Sequence, residues 1–167
     1  VIDINDEVAI GYPTTPEVIY GFGISSSYKN FDLSFFFQGS LNSSFFIDAY
    51  NTSPFIDTSG GAIGNNALLS AWANDHWSEN DRNLYAAWPR LSDQLIDNNN
   101  RNSTWWLRDG SFLRLKSIEF GYSIPDRLAS YINISSARVY ITGSNLFTFS
   151  KFKLWDVEMG GNGLGYP

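Results

Sequence analysis

No cysteine occurs in the 167 residues, and there is one histidine. The first absence excludes a disulfide scaffold and a thiolate metal site. A lone His76 leaves neither a Ser-His-Asp triad nor a His-rich metal centre to assemble, so no metal and no cofactor is expected. Long apolar runs are missing as well. Mean hydropathy is -0.20, and no stretch approaches the roughly 20 apolar residues of a membrane-spanning helix. Positive charge is scarce: 11 Lys and Arg stand against 17 Asp and Glu, a net charge of -6. Nucleic acid is thereby excluded as a partner, because neutralising phosphates takes clustered cations. No basic, apolar leader opens the chain, which starts Val1-Ile2-Asp3-Ile4 and stops at Gly165-Tyr166-Pro167, so both ends read as cut.

What is abundant is aromatic: 13 Phe, 9 Tyr and 6 Trp, or 17% of the chain. Many of them alternate with small or polar residues. Ile118, Phe120, Tyr122 and Ile124 fall opposite Glu119, Gly121 and Ser123; Val139 and Ile141 fall opposite Tyr140 and Thr142, with the period of two continuing through Phe147 and Phe149. From Tyr20 to Gln38 a hairpin is expected. With Lys29-Asn30 as its turn, Tyr28 pairs with Phe31 and every apolar position shares one face, Phe36 alone being out of phase. The predicted fold is all-β, an antiparallel transmembrane β-barrel segment of about four strands with a long extracellular loop containing a short helix. Phe22, Ile24, Leu33, Phe35, Phe37, Phe120, Tyr122, Val139 and Ile141 are expected to face lipid. The other face, of Gly, Ser, Asp and Gln, is too small and polar for a sandwich core and suits a hydrated lumen. A soluble β-rich carbohydrate-binding module is the alternative, with Trp72, Trp77 or Trp88 as its platform.

The segments between strands are uneven in length. Residues 1–19 read as a solvated acidic loop, since the Asp-x-Asx-x-Asx-Gly order of a calcium loop is absent. The hairpin is assigned to 20–39, a long loop to 40–104, two strands to 105–152 and the start of a further loop to 153–167. Inside the long loop, Asn66 to Trp77 has helical spacing, with Leu68, Leu69, Trp72 and Trp77 on one face. Phase is ambiguous over Phe112 to Lys116, as a β-bulge would make it. Pro125 to Ser135 reads as a connector with one helical turn over Asp126 to Tyr131. Asp75-His76 reads as a surface pair, and Asp81, Asp93, Asp97 and Asp109 as scattered solvated acids, so no enzyme is expected. Trp72, Trp77, Tyr85, Trp88, Trp105 and Trp106, flat rings in or at the edge of the long loop, are the candidate contacts for a ligand or a partner protein.

Five stretches carry a family resemblance: GYPTTPEVIYGFG at 11–23, YKNFDLSFFFQGS at 28–40, WPRL at 88–91, SFLRLKSIEFGYSIP at 111–125 and RVYITGSNLFTFSKFKLWDVE at 138–158. In this order they resemble the C-terminal part of SusC/RagA-type TonB-dependent outer-membrane transporters, the nutrient importers of Bacteroidetes. The resemblance implies a plugged barrel of about 22 strands, of which residues 1–167 are a C-terminal piece in the bacterial outer membrane. It implies as partners a SusD-like surface lipoprotein, TonB acting through a plug domain, the remaining strands of the same barrel, outer-membrane lipid, and a glycan or peptide cargo. Plug, TonB box and a final aromatic strand have no counterpart in these residues.

Overall fold

In the computed structural model, residues 6–55, 67–94, 96–131 and 133–162 are described. Four strands form one antiparallel sheet: β1 (Val18–Tyr28), β2 (Phe31–Leu41), β5 (Phe112–Ile124) and β6 (Ala137–Ser150), in the order β1-β2-β5-β6. Two short strands, β3 (Ser44–Phe46) and β4 (Leu107–Asp109), pair with each other in a separate ribbon. The helices are short: α1 (Ala49–Thr52), α2 (Ser70–Asn74), α3 (Asp97–Asn100) and α4 (Asp126–Tyr131), followed by 3₁₀ turns over Val157–Asn162.

The hairpin register is the one the alternation predicts. Tyr28 lies opposite Phe31, Ile24 opposite Phe35 and Phe22 opposite Phe37, with the last two rings stacked at 5.2 Å. In the turn it is Lys29 that takes a positive φ (54°). Asn30 is occupied elsewhere: its side chain donates to Ser123 O at 2.7 Å, and its own carbonyl accepts from Ser123 N at 2.8 Å. That pair of bonds ties the β1-β2 turn to the end of β5.

Across the sheet the apolar positions line up in rows, broken by the small residues Ser26, Gly39 and Gly143. Leu33 is flanked by Ser26 and Phe120, and Phe120 by Ile141; Phe31 is flanked by Tyr28 and Tyr122, and Tyr122 by Val139. The phase change before Ile118 is resolved by a bulge: Phe36 pairs with Ser117 and Phe37 with Leu115, which leaves Lys116 extra. Leu113 and Leu115 thus join the apolar face, and Arg114 turns to the polar one. Phe36 on the polar face lies over Gly21 and Gly23, where an added Cβ would meet its ring at 2.8 and 3.1 Å.

Among the described residues no second layer covers the apolar face. Phe22 is 50% exposed, Ile24 59% and Ile141 70%, and Leu33, Phe120 and Val139 are also exposed while Phe35, Phe37 and Tyr122 are half-buried. The core lies elsewhere, in the loop layer at one end of the sheet, where Phe45, Ile47, Trp72, Trp88, Trp106, Phe152 and Val157 bury one another. The two strands assigned to 105–152 therefore begin later than expected: Trp105 and Trp106 precede the loop ribbon's β4, and β5 starts at Phe112. The predicted 66–77 helix shrinks to Ser70–Asn74. Leu69 sits at its N-cap and Trp77 beyond its end, held by a bond from its N–H to Trp88 O at 2.9 Å. Asn66 lies outside the described residues. The helical turn at Asp126–Tyr131 is present.

Candidate functional site

The long connection from β2 to β5 leaves and rejoins the sheet at the end remote from the Lys29-Asn30 turn and the α4 connector. Its folding follows from its tryptophans. Trp88 packs against both Trp72 and Trp106, with ring centroids 4.8 Å away in each pair and the rings tilted by 37° and 57°. Trp106 Nε1 donates to Asn99 O at 2.8 Å, and Ile47 N to Trp106 O at 2.9 Å. His76 is no surface pair with Asp75: its Nδ1 lies 3.0 Å from Trp72 O and 3.1 Å from Ala73 O, so it carries a proton there and caps the carbonyl end of α2.

The segment after β6 closes over this cluster. Phe152 packs edge-on to Phe45 (5.1 Å) and Trp155 (5.0 Å), Trp155 Nε1 donates to Gly160 O at 2.7 Å, and Gly161 O accepts from Asp48 N at 2.8 Å. Beneath lies Arg114, 2% exposed, reaching up from the polar face of β5. It donates to Asp156 Oδ1 at 2.5 Å and stands 3.0 Å from Glu158 Oε2, a contact of charges without hydrogen-bond alignment. Burial opposes ionisation of Asp156, but the bonds from Arg114 and from Glu158 N outweigh it and hold the carboxyl below its ordinary range. Asp109 is likewise lowered: burial opposes, while Ser111 and Lys151, the latter at 3.0 Å, favour the anion. At the turn end of the polar face Arg138 bridges β2, β5 and β6, bonding Asp32 and, at 2.6 Å, Glu119 Oε1. A Cβ on Gly121 would collide with that cluster.

The six rings expected to meet cargo or a lid separate into two groups. Trp72, Trp88 and Trp106 are 0%, 3% and 1% exposed, and so are packing residues unavailable to a partner. This correction also removes Trp72 and Trp88 as the platform of a carbohydrate-binding module. The cause is local: the layer has few aliphatic residues, so its own rings supply its core. Trp77 and Trp105 are half-buried, and Tyr85 is 95% exposed. Tyr85 and Trp105 share an open groove of about 870 Å³ with Arg108, Asp109, Lys151 and Lys153. Arg114, Asp156 and Glu158 were missed by sequence reasoning; the one signal was a lone Arg inside an apolar strand, visible only once the bulge is placed.

No family model matches the chain. Over 99% of its length it is 32% identical to the TonB-dependent receptor P26 of Formosa agariphila, and over 95% it is 29% identical to the TonB-dependent receptor SusC of Bacteroides thetaiotaomicron. The chain spans 16% and 14% of the length of these two relatives. Its fold matches a chain of the RagAB peptide transporter with a TM-score of 0.67 and 27% identity, over 97% of this chain and 17% of that one.

Proposed function

We propose, from the premise that this chain belongs to the SusC/RagA-type TonB-dependent receptors, that it forms part of the barrel wall and of the extracellular vestibule of an outer-membrane nutrient importer. The observation that carries this reading is the single-layer sheet. Two of its rows, Tyr28-Phe31-Tyr122-Val139 and Phe22-Phe37-Leu115-Phe147, are apolar across β1, β2, β5 and β6, and no described second layer covers the face. Strands of 11 to 14 residues are long enough to cross a bilayer at a tilt, and lipid is the solvent such a face calls for. The free edges of β1 and β6 are met by the remaining strands of the same barrel.

The loop layer is the extracellular part, and the Lys29-Asn30 turn and the α4 connector face the periplasm. Within the loop layer Tyr85, Trp105 and Trp77 are the rings left to touch a SusD-like lipoprotein or the cargo, an oligosaccharide or a peptide. TonB drives uptake through a plug domain. The test is whole-cell uptake of labelled oligosaccharides and peptides by cells carrying or lacking the full-length gene, with and without a protonophore. Uptake of one class is expected to need both the gene and the proton gradient; equal uptake in all four conditions contradicts the assignment.

A further inference from the structure

Arg108, on β4, is half-buried, and among the described residues no carboxylate lies within ion-pair distance of it. The other arginines are either paired with acids, as Arg90, Arg114 and Arg138 are, or exposed, as Arg82, Arg101 and Arg127 are. Arg108 Nη1 donates to Trp105 O at 2.6 Å and to Leu107 O at 2.9 Å, which fixes the guanidinium in place. Nε and Nη2, on its other edge, have no partner among the described residues and are not sealed from solvent. With no anion beside the group, burial holds its pKa below the ordinary arginine range. The open groove of about 870 Å³ that Arg108 lines is also lined by Lys151 and Lys153 and by two acids, Asp75 and Asp109. Asp109 is already engaged, by Lys151 at 3.0 Å and by Ser111 N at 2.9 Å. Arg108 and the exposed Lys153 thus stand against Asp75 alone, a local excess of positive charge in a chain of net charge -6. Tyr85, 95% exposed and with its N–H held by Asn83 Oδ1 at 2.9 Å, lines the same groove with Trp105 and Leu84.

We propose that this groove is a subsite for the carboxylate of an acidic ligand, accepted by the free Nε and Nη2 edge of Arg108 with Lys153 beside it. That edge offers two N–H donors side by side, the arrangement that two carboxylate oxygens match. A neutral occupant would cover the guanidinium further and bring no counter-charge, so it would add to the desolvation Arg108 already bears. The rings of Tyr85 and Trp105 and the side chain of Leu84 offer apolar contact to an organic body, which a bare inorganic ion lacks. A uronic acid of an oligosaccharide and an acidic side chain of a peptide both supply this chemistry. The assignment rests on the importer reading above and names the charge of the cargo that this part of the vestibule takes.

The test is calorimetry on the purified full-length receptor with two acidic probes, trigalacturonate and N-acetyl-Gly-Glu-Gly-amide, and their uncharged counterparts, maltotriose and N-acetyl-Gly-Gln-Gly-amide. At least one acidic probe is expected to bind about tenfold more tightly than its counterpart, and which one does so tells a sugar source from a peptide source. Arg108→Gln should abolish that preference, and Arg108→Lys, which keeps the charge but not the fork, should retain part of it. Lys153→Glu covers the case in which Arg108→Gln fails to fold, because the Lys153 side chain is exposed and makes no ion pair among the described residues; it too should weaken the acidic probe and leave the uncharged one unchanged. A parent receptor that prefers neither acidic probe, or an acidic preference that survives undiminished in Lys153→Glu or in a folded Arg108→Gln, overturns the subsite. Outer-membrane residence and uptake by the parent, measured in parallel, separate the two layers: a receptor that inserts and imports but shows no acidic preference loses only the subsite, while one that never reaches the membrane loses the importer reading as well.

Discussion

Single residues in this chain are constrained by which face they occupy. Leu33 and Phe35 lie on the uncovered apolar face and Ser34, between them, on the polar one. Leu33→Arg or Phe35→Arg in the full-length protein is expected to cost about 2–4 kcal/mol near the bilayer midplane and Ser34→Arg much less, checked by unfolding in lipid vesicles; equal costs contradict the lipid assignment. Gly39 tests the close approach of strands, since a Cβ there would come within 2.4 Å of Phe112 O. Gly39→Ala must push β2 and β5 apart and is expected to destabilise by roughly 1–3 kcal/mol, read in the same assay, whereas no loss would show that the strands yield freely. Asp156 sets a pH dependence. Its carboxyl is lowered in the fold, so its contribution is complete above the ordinary value of about 3.9 and disappears as pH falls through the lowered one. Trp155 emission should stay constant from neutral pH to about 4 and shift below it, and Asp156→Asn should remove that acid step; a transition centred above pH 5 assigns it to another group.

At the scale of elements, the two ends of the sheet are distinct. The bonds between Asn30 and Ser123 place the β1-β2 turn beside the β5-β6 connector, and the α2 region lies at the other end. Cysteines introduced at residue 85 of the full-length receptor should therefore react with a membrane-impermeant maleimide in intact cells, and those at residues 29 or 130 should not; the reverse pattern inverts the proposed orientation. Much of this layout was legible beforehand because a period of two specifies both face and register: Tyr28 against Phe31 follows from parity alone. What parity does not encode is where one residue is added, so Arg114 could not be assigned a face until Lys116 was seen to bulge. Nor does a tryptophan in a polar loop reveal its burial. Trp88 and Tyr85 stand three residues apart, yet one is 3% and the other 95% exposed, a difference set by contacts with Trp72 and Trp106 from distant parts of the chain. The 66–77 helix failed for a related reason. Its apolar spacing was real, but α2 ends at Asn74 and His76 caps its last carbonyls, while the backbone at Trp77 pairs with Trp88.

For the whole molecule, the sheet and the loop layer divide the work. The sheet has an outward apolar surface and few internal contacts beyond its ladders, and the loop layer holds the buried core. Arg114, rooted in the wall and paired with Asp156 and Glu158, joins the two. An isolated sheet of this kind would aggregate through its edges and its apolar face, and it becomes stable only as a part of a closed wall in lipid. The most direct measurement is spin-label accessibility along β2 of the full-length receptor in bilayers, one label at a time from residue 32 to 38, comparing oxygen with a water-soluble nickel chelate. Labels at 33, 35 and 37 are expected to favour oxygen and those at 32, 34 and 38 the nickel reagent; accessibility without a period of two, or with the two sets exchanged, would contradict the assignment of these strands to a membrane wall.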